Sequence, residues 1–132
     1  MFEYANKTYT IQSKVDFTTN SDTSITIPAG CILKFNGGQL KNTGSGTVTI
    51  TGSNTIIDAE LAQIIGANVV LAGTWKCKAI HDEWFGGTAG SAKTAIAKPG
   101  VGCLYYDSTN SKYIVWTGTT NGWRNVDGTA LS

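Results

Sequence analysis

Between residues 24 and 75 apolar and polar positions alternate in short runs: Ser24-Ile-Thr-Ile-Pro, Ile32-Leu-Lys-Phe-Asn, Thr47-Val-Thr-Ile-Thr, Asn54-Thr-Ile-Ile-Asp and Asn68-Val-Val-Leu. Alternation over so few residues, in β-branched-rich segments bounded by Gly, Asn, Ser or Pro, predicts short strands rather than helices. In Ile25/Thr26/Ile27 and Val48/Thr49/Ile50 the isoleucines and valine share one side and threonine takes the other, so each strand buries one face and wets the other.

The runs also recur. A shift of 23 positions sets Ile25 on Val48 on Leu71, Ile27 on Ile50 on Gly73, and Leu33 on Ile56. A period of that size predicts a solenoid. With β-branched strands and Gly or Asn at the corners, the solenoid expected is a parallel β-helix of two to three coils. An antiparallel sandwich or meander of short strands is the alternative, but it has no need of a constant offset.

The rest of the chain divides around this block. Residues 1–23 carry Tyr9, Ile11, Val15 and Phe17 in loose alternation and are expected to cap the β-helix (24–85) or to act as a docking arm. Residues 58–65 are the one stretch with helical character, with Asp58 able to cap it. Residues 86–100, rich in Gly, Ala, Ser and Lys, read as a linker. Residues 101–132 read as a small antiparallel β-meander with turns at 107–111 and 117–122. The fold class expected is thus all-β, a short parallel β-helix followed by a meander. The meander's Tyr105, Tyr106, Tyr113, Trp116 and Trp123 are candidate contacts, either as the core and interface of a module too small to bury much else or as a sugar-stacking surface.

Charge and candidate chemistry narrow the function. Charged residues make up 14% of the chain and the formal net charge is +1, with no basic stripe, which argues against nucleic-acid binding. No apolar window approaches the roughly 18 residues of a membrane span, and the first twenty residues lack a signal-like apolar core, so a soluble protein without membrane insertion is expected. Cys31, Cys77 and Cys103 are odd in number and far apart, fitting buried apolar residues in a reducing compartment rather than a disulfide framework or metal site. The Gly pairs at 36–38 lack the Gly-Lys-Ser/Thr or Gly-x-Gly-x-x-Gly context of a phosphate loop. His81 beside Asp82 and Glu83 has the composition of a general base with an orienting carboxylate. Neighbours on a strand point to opposite faces, however, so packing against Trp84 and Phe85 is the reading preferred. The remaining carboxylates, Asp16, Asp22, Asp58 and Glu60, are scattered, and Arg124 is the sole arginine. No enzymatic activity and no cofactor or metal are expected.

The segment Ile27-Pro-Ala-Gly-Cys-Ile-Leu-Lys-Phe-Asn-Gly-Gly-Gln-Leu, with Asn54-Thr-Ile-Ile-Asp-Ala, Leu71-Ala-Gly-Thr-Trp and the closing Glu83-Trp-Phe-Gly, resembles the opening coils of the pectate-lyase-like right-handed β-helix proteins. That superfamily includes many phage tailspikes and virion appendage proteins, and the likeness extends to appendages of phages that infect Bacteroides-like gut bacteria. It covers about half of the chain and speaks to fold more than to function. After Trp-Phe-Gly those proteins continue through an Asp-Asp-Thr-x-Ala-Ile type stretch into further coils that carry a substrate groove; here residues 94–96 keep only Thr-Ala-Ile. The pattern Gly102-Cys-Leu-Tyr-Tyr-Asp-Ser-Thr followed by Trp116 and Trp123-Arg-Asn-Val-Asp-Gly resembles a β-meander found at the ends of phage fibre proteins, where it serves trimer contacts or attachment and sometimes touches glycan.

The resemblance implies a structural virion protein, assembled in the host cytoplasm as a head or tail fibre or a capsid decoration, with other virion proteins as partners. A thin solenoid and a small meander bury little core apiece, so a homotrimer is expected. The alternatives are a glycan-binding module for host-surface attachment and a degenerate polysaccharide-degrading tailspike fragment.

Overall fold

The alternating runs wind into a parallel β-solenoid of about four turns that runs into a small mixed sheet. The computed structural model describes residues 2–97 and 99–131; Met1 and Ser132, at the outer ends of the expected cap and meander, and Lys98 in the expected linker lie outside the described residues. The first turn holds β1 (Thr8–Ile11), β2 (Lys14–Asp16) and β3 (Thr23–Thr26). The second holds β4 (Ile32–Phe35), β5 (Gln39–Lys41) and the first part of β6 (Val48–Ala59), which turns a corner at Asn54 and begins the third. β7 (Val69–Lys76) completes the third turn, and β8 (Ala79–Ile80) belongs to the fourth. The solenoid therefore begins at residue 8, and the segment expected as a cap is itself a turn.

The strands stack in parallel columns, and the register shows why the repeat was legible only approximately. Thr8, Ile32 and Ile56 lie side by side, as do Ile25, Ile50 and Leu71. The steps are 24 residues in the first column, and 25 then 21 in the second, so a shift of 23 is an average of unequal turns. The shift set Ile25 on Val48, whereas Ile25 pairs with Ile50. A slip of two residues keeps Ile25 and Ile50 on their own face, but the shift also set Leu33 on Ile56, one residue short of its partner Ile57, and a slip of one exchanges a buried position for an exposed one. The shortening lies in one corner. Between the Leu40–Ile65 and Val48–Val69 pairings the second turn spends residues 41–47 and the third only 66–68.

Inside, Ile27, Leu33, Leu40, Val48, Ile50, Ile64, Trp75 and Ile80 are fully buried. Burying each is worth about 1.5–3 kcal/mol. Asn42 is buried among them without exposing a single unmet polar group. Its side-chain Oδ1 accepts from Thr19 N–H (2.9 Å) and Gly44 N–H (3.2 Å), and its Nδ2 donates to Thr19 O (3.0 Å) and Gly46 O (2.7 Å). Asn68, in the left-handed region at φ 58°, donates from Nδ2 to Asn42 O and Gly44 O, so the corner of the third turn is tied to that of the second. At the N-terminal end Tyr9, Val15, Phe17 and Ile25 are only partly buried, and Phe2 packs edge-on against Tyr9 at 5.1 Å.

Two local expectations are corrected. Residues 58–65 form no helix: β6 runs to Ala59, and a bend follows that turns both Ile64 and Ile65 into the core, where their N–H groups donate to Trp84 O. Residues 86–100 include α1 (Ser91–Ala95), and Ala92 and Ile96 are buried completely, so part of the stretch read as a linker contributes to the core.

The C-terminal residues form β9 (Leu104–Asp107), β10 (Lys112–Trp116) and β11 (Trp123–Asn125), antiparallel to one another as expected. β9 also pairs in parallel with β8, Ala79 beside Leu104 and Ile80 beside Tyr105. The meander is consequently the next layer of the solenoid and not an appendix on a tether. Among the described residues no helix is long and apolar enough to cross a membrane.

Candidate functional site: the aromatic sheet and its groove

Alternation along β9 and β10 sorts the five candidate aromatics. Tyr105, opposite Ile114, faces inward and is 2% exposed. Tyr106 lies directly opposite Tyr113 and both face outward, 46% and 58% exposed, with ring centroids 4.9 Å apart and planes at 49°. Trp116 and Trp123 pair across β10 and β11, partly buried and edge-to-face at 5.5 Å, and Trp123 lies 5.8 Å from Tyr105. Of the five, then, only Tyr106 and Tyr113 present open ring surface; Tyr105 belongs to the core.

The Tyr105 hydroxyl donates to Asp82 Oδ2 at 2.7 Å. Asp82 begins a 3-10 turn over Asp82–Phe85 and is itself nearly buried. Its Oδ2 also accepts Gly90 N–H (3.3 Å), and its Oδ1 accepts Ala92 N–H (2.9 Å) and the Ser91 hydroxyl (3.4 Å). One carboxylate thus joins the fourth turn, the start of α1 and the C-terminal sheet. Sequence reading had placed Asp82 beside His81 and missed this role, because its partners lie 8 to 23 residues downstream. Burial, and after it the hydrogen bond to Asp82, pushes the Tyr105 phenol up to about 12.

His81 precedes the 3-10 turn and meets the Trp84 ring edge-on at 5.0 Å, while the Trp84 indole N–H donates to Glu60 O at 3.0 Å. Because residues 82–85 turn instead of extending, the strand argument used for His81 does not apply, yet the ring packs on Trp84 all the same. A groove of about 330 Å3 runs beside it, lined among others by Leu61, His81, Glu83, Tyr106, Ser108 and Tyr113.

Other carboxylates hold backbone. Asp16 Oδ1 accepts the N–H groups of Thr18 and Thr43, both at 3.0 Å, and the Thr43 bond above all holds its carboxyl below the ordinary range. Asp22 accepts Thr47 N–H (2.9 Å), and Glu60 accepts Gly37 N–H (3.0 Å). The bonds to Thr43, Thr47 and Gly37 each span neighbouring turns. Among the described residues no group of three or more His, Cys, Asp or Glu side chains is placed to hold a metal ion.

Cys31, Cys77 and Cys103 are free thiols and buried. Burial pushes Cys77 up to about 11 and Cys103 up to about 12. In the unfolded chain these thiols ionise near their ordinary 9, and Tyr105 near 10. Raised values in the folded state mean stability that is whole below pH 9 and declines as pH climbs toward 12. Thermal unfolding followed by circular dichroism is expected to give a falling midpoint over that window, and iodoacetamide at pH 8 is expected to leave both cysteines unmodified until the protein is denatured. Rapid labelling of the native protein would contradict the burial.

No protein-family model, curated protein or solved structure matches the chain.

Proposed function

We propose that this chain is a structural, non-catalytic protein of a tailed-phage virion, a short head or tail fibre or decoration built from three copies. The observation that carries the reading is the outer wall of the solenoid. Ile56 and Val101 face outward there, 40% and 77% exposed, on either side of Lys76, Lys78 and an open cleft of about 580 Å3. Ile32 lies beside Ile56 on the same face, and one step along the strands Lys34 lies beside Asp58. A wall on which exposed apolar residues alternate with charges of both signs suits contact with copies of itself. The carboxylates of Asp16, Asp22 and Glu60, each engaged with a backbone N–H group across turns, support a scaffolding role. The phage assignment itself rests on the sequence resemblance.

Light scattering behind size exclusion tests the assembly: three times 13.9 kDa is expected, stable to dilution. Ile56→Asp is expected to yield a folded monomer, because it places a carboxylate at the centre of the contact while leaving the interior untouched. A wild-type monomer would sink the fibre reading. Detection of the chain by mass spectrometry in purified virions, and its absence from them, would decide the location.

A further inference from the structure

The groove beside the C-terminal sheet unites three distant stretches of chain. Tyr106 and Tyr113 form one wall, Leu61 on the bend after β6 stands 65% exposed on the same groove, and His81, Glu83 and Ser108 supply polar edges. A cross-strand tyrosine pair alone would stabilise a hairpin. Here the shape and the charge go further. The rings are tilted by 49° to each other and so do not form the flat platform on which a sugar ring stacks. Asp82 and Glu83 both line the groove, and no lysine or arginine does. The donors to Asp82, namely Gly90 N–H, Ala92 N–H and the Ser91 and Tyr105 hydroxyls, are all neutral. Lys93 reaches the Tyr105 ring at 5.8 Å but is not part of the lining.

Aromatic faces carry negative potential, and two carboxylates beside them reinforce it. A compact, weakly hydrated cation gains from both, whereas an anion is repelled and a neutral group gains only apolar contact. We propose that this groove binds a quaternary ammonium group, resting against the exposed rings of Tyr106 and Tyr113 with Glu83 on the same groove.

The test is a titration of the 132-residue protein, followed by nuclear magnetic resonance of the tyrosine rings, with three probes: choline, its uncharged carbon isostere dimethylbutanol, and butylammonium. Choline is expected to bind saturably in the roughly millimolar range. Butylammonium, more strongly hydrated, is expected to bind more weakly and dimethylbutanol weakest of all. Tyr113→Ala is expected to lower choline affinity by roughly threefold to thirtyfold, the span of a cation–aromatic contact. Glu83→Gln, an exposed isosteric change that leaves the fold alone, is expected to lower it by a smaller factor that shrinks further at high salt. Equal binding of choline and dimethylbutanol would show a merely apolar groove, saturable binding of a neutral pyranose in its place would show a sugar site, and the lack of any saturable choline shift would show no site; each overturns the proposal.

Discussion

Asn42→Ala is expected to destabilise the protein by about 3–5 kcal/mol, because it strands several backbone groups at once in a dry corner. Thr19 N–H, Thr19 O, Gly46 O and Gly44 N–H all lose the side chain that satisfies them. Burying an unpaired polar group costs about 1–3 kcal/mol, and those near the surface recover part of that from water. Asn42→Asp distinguishes donors from acceptors at constant shape. It keeps the Oδ1 contacts but turns an oxygen toward Thr19 O and Gly46 O, so it too is expected to destabilise, less at low pH where the carboxyl is protonated and one donor returns. Urea unfolding at pH 7 and pH 4 measures both. A loss under about 1 kcal/mol for Asn42→Ala would mean that the corner opens to solvent or repacks.

Asp82→Ala is expected to cost about 2–4 kcal/mol and to uncouple the C-terminal sheet from the solenoid. Hydrogen bonds to a charged group contribute about 1.5–3 kcal/mol, and this carboxylate accepts four donors, two from backbone and two from hydroxyls. Tyr105→Phe removes one of them and is expected to cost less. Hydrogen exchange gives the sharper readout: in Asp82→Ala the amides of residues 104–116 are expected to lose protection while those of β4 to β7 keep theirs. Uniform loss across the chain would show that sheet and solenoid unfold only together.

What could be read from the residues was the part governed by short-range periodicity. Alternation in Ile25/Thr26/Ile27 and Val48/Thr49/Ile50 was enough to identify strands and their buried faces, and the repetition of such runs was enough to suggest parallel coils. The length of the turns was not legible, since a corner of seven residues at 41–47 and one of three at 66–68 leave the same side chains facing in. Residues 1–23 read as a cap or docking arm because β1 and β2 hold few strongly apolar residues, and Val15 and the following Phe17 remain only partly covered. At the candidate site alternation within β9 already separates Tyr105 from Tyr106. The groove was not legible at all, because Leu61, Glu83 and Tyr113 meet only through the stacking of the third turn, the fourth and the sheet.

The stacking has a consequence for how the chain comes to be folded. Paired strands of the solenoid are separated by only 20 to 25 residues, from Ile56 beside Lys76 to Ile25 beside Ile50, and each new turn finds its template already in place just upstream. A chain emerging from the ribosome can therefore settle turn upon turn in the order of synthesis, never waiting for a partner from the far terminus. The arrival of β9 on β8 brings the Tyr105 hydroxyl to Asp82, and β10 and β11 then add to β9 in turn. The tyrosine-lined groove therefore forms only once the fourth turn and β10 are both in place, so it reports on the solenoid and the C-terminal sheet together.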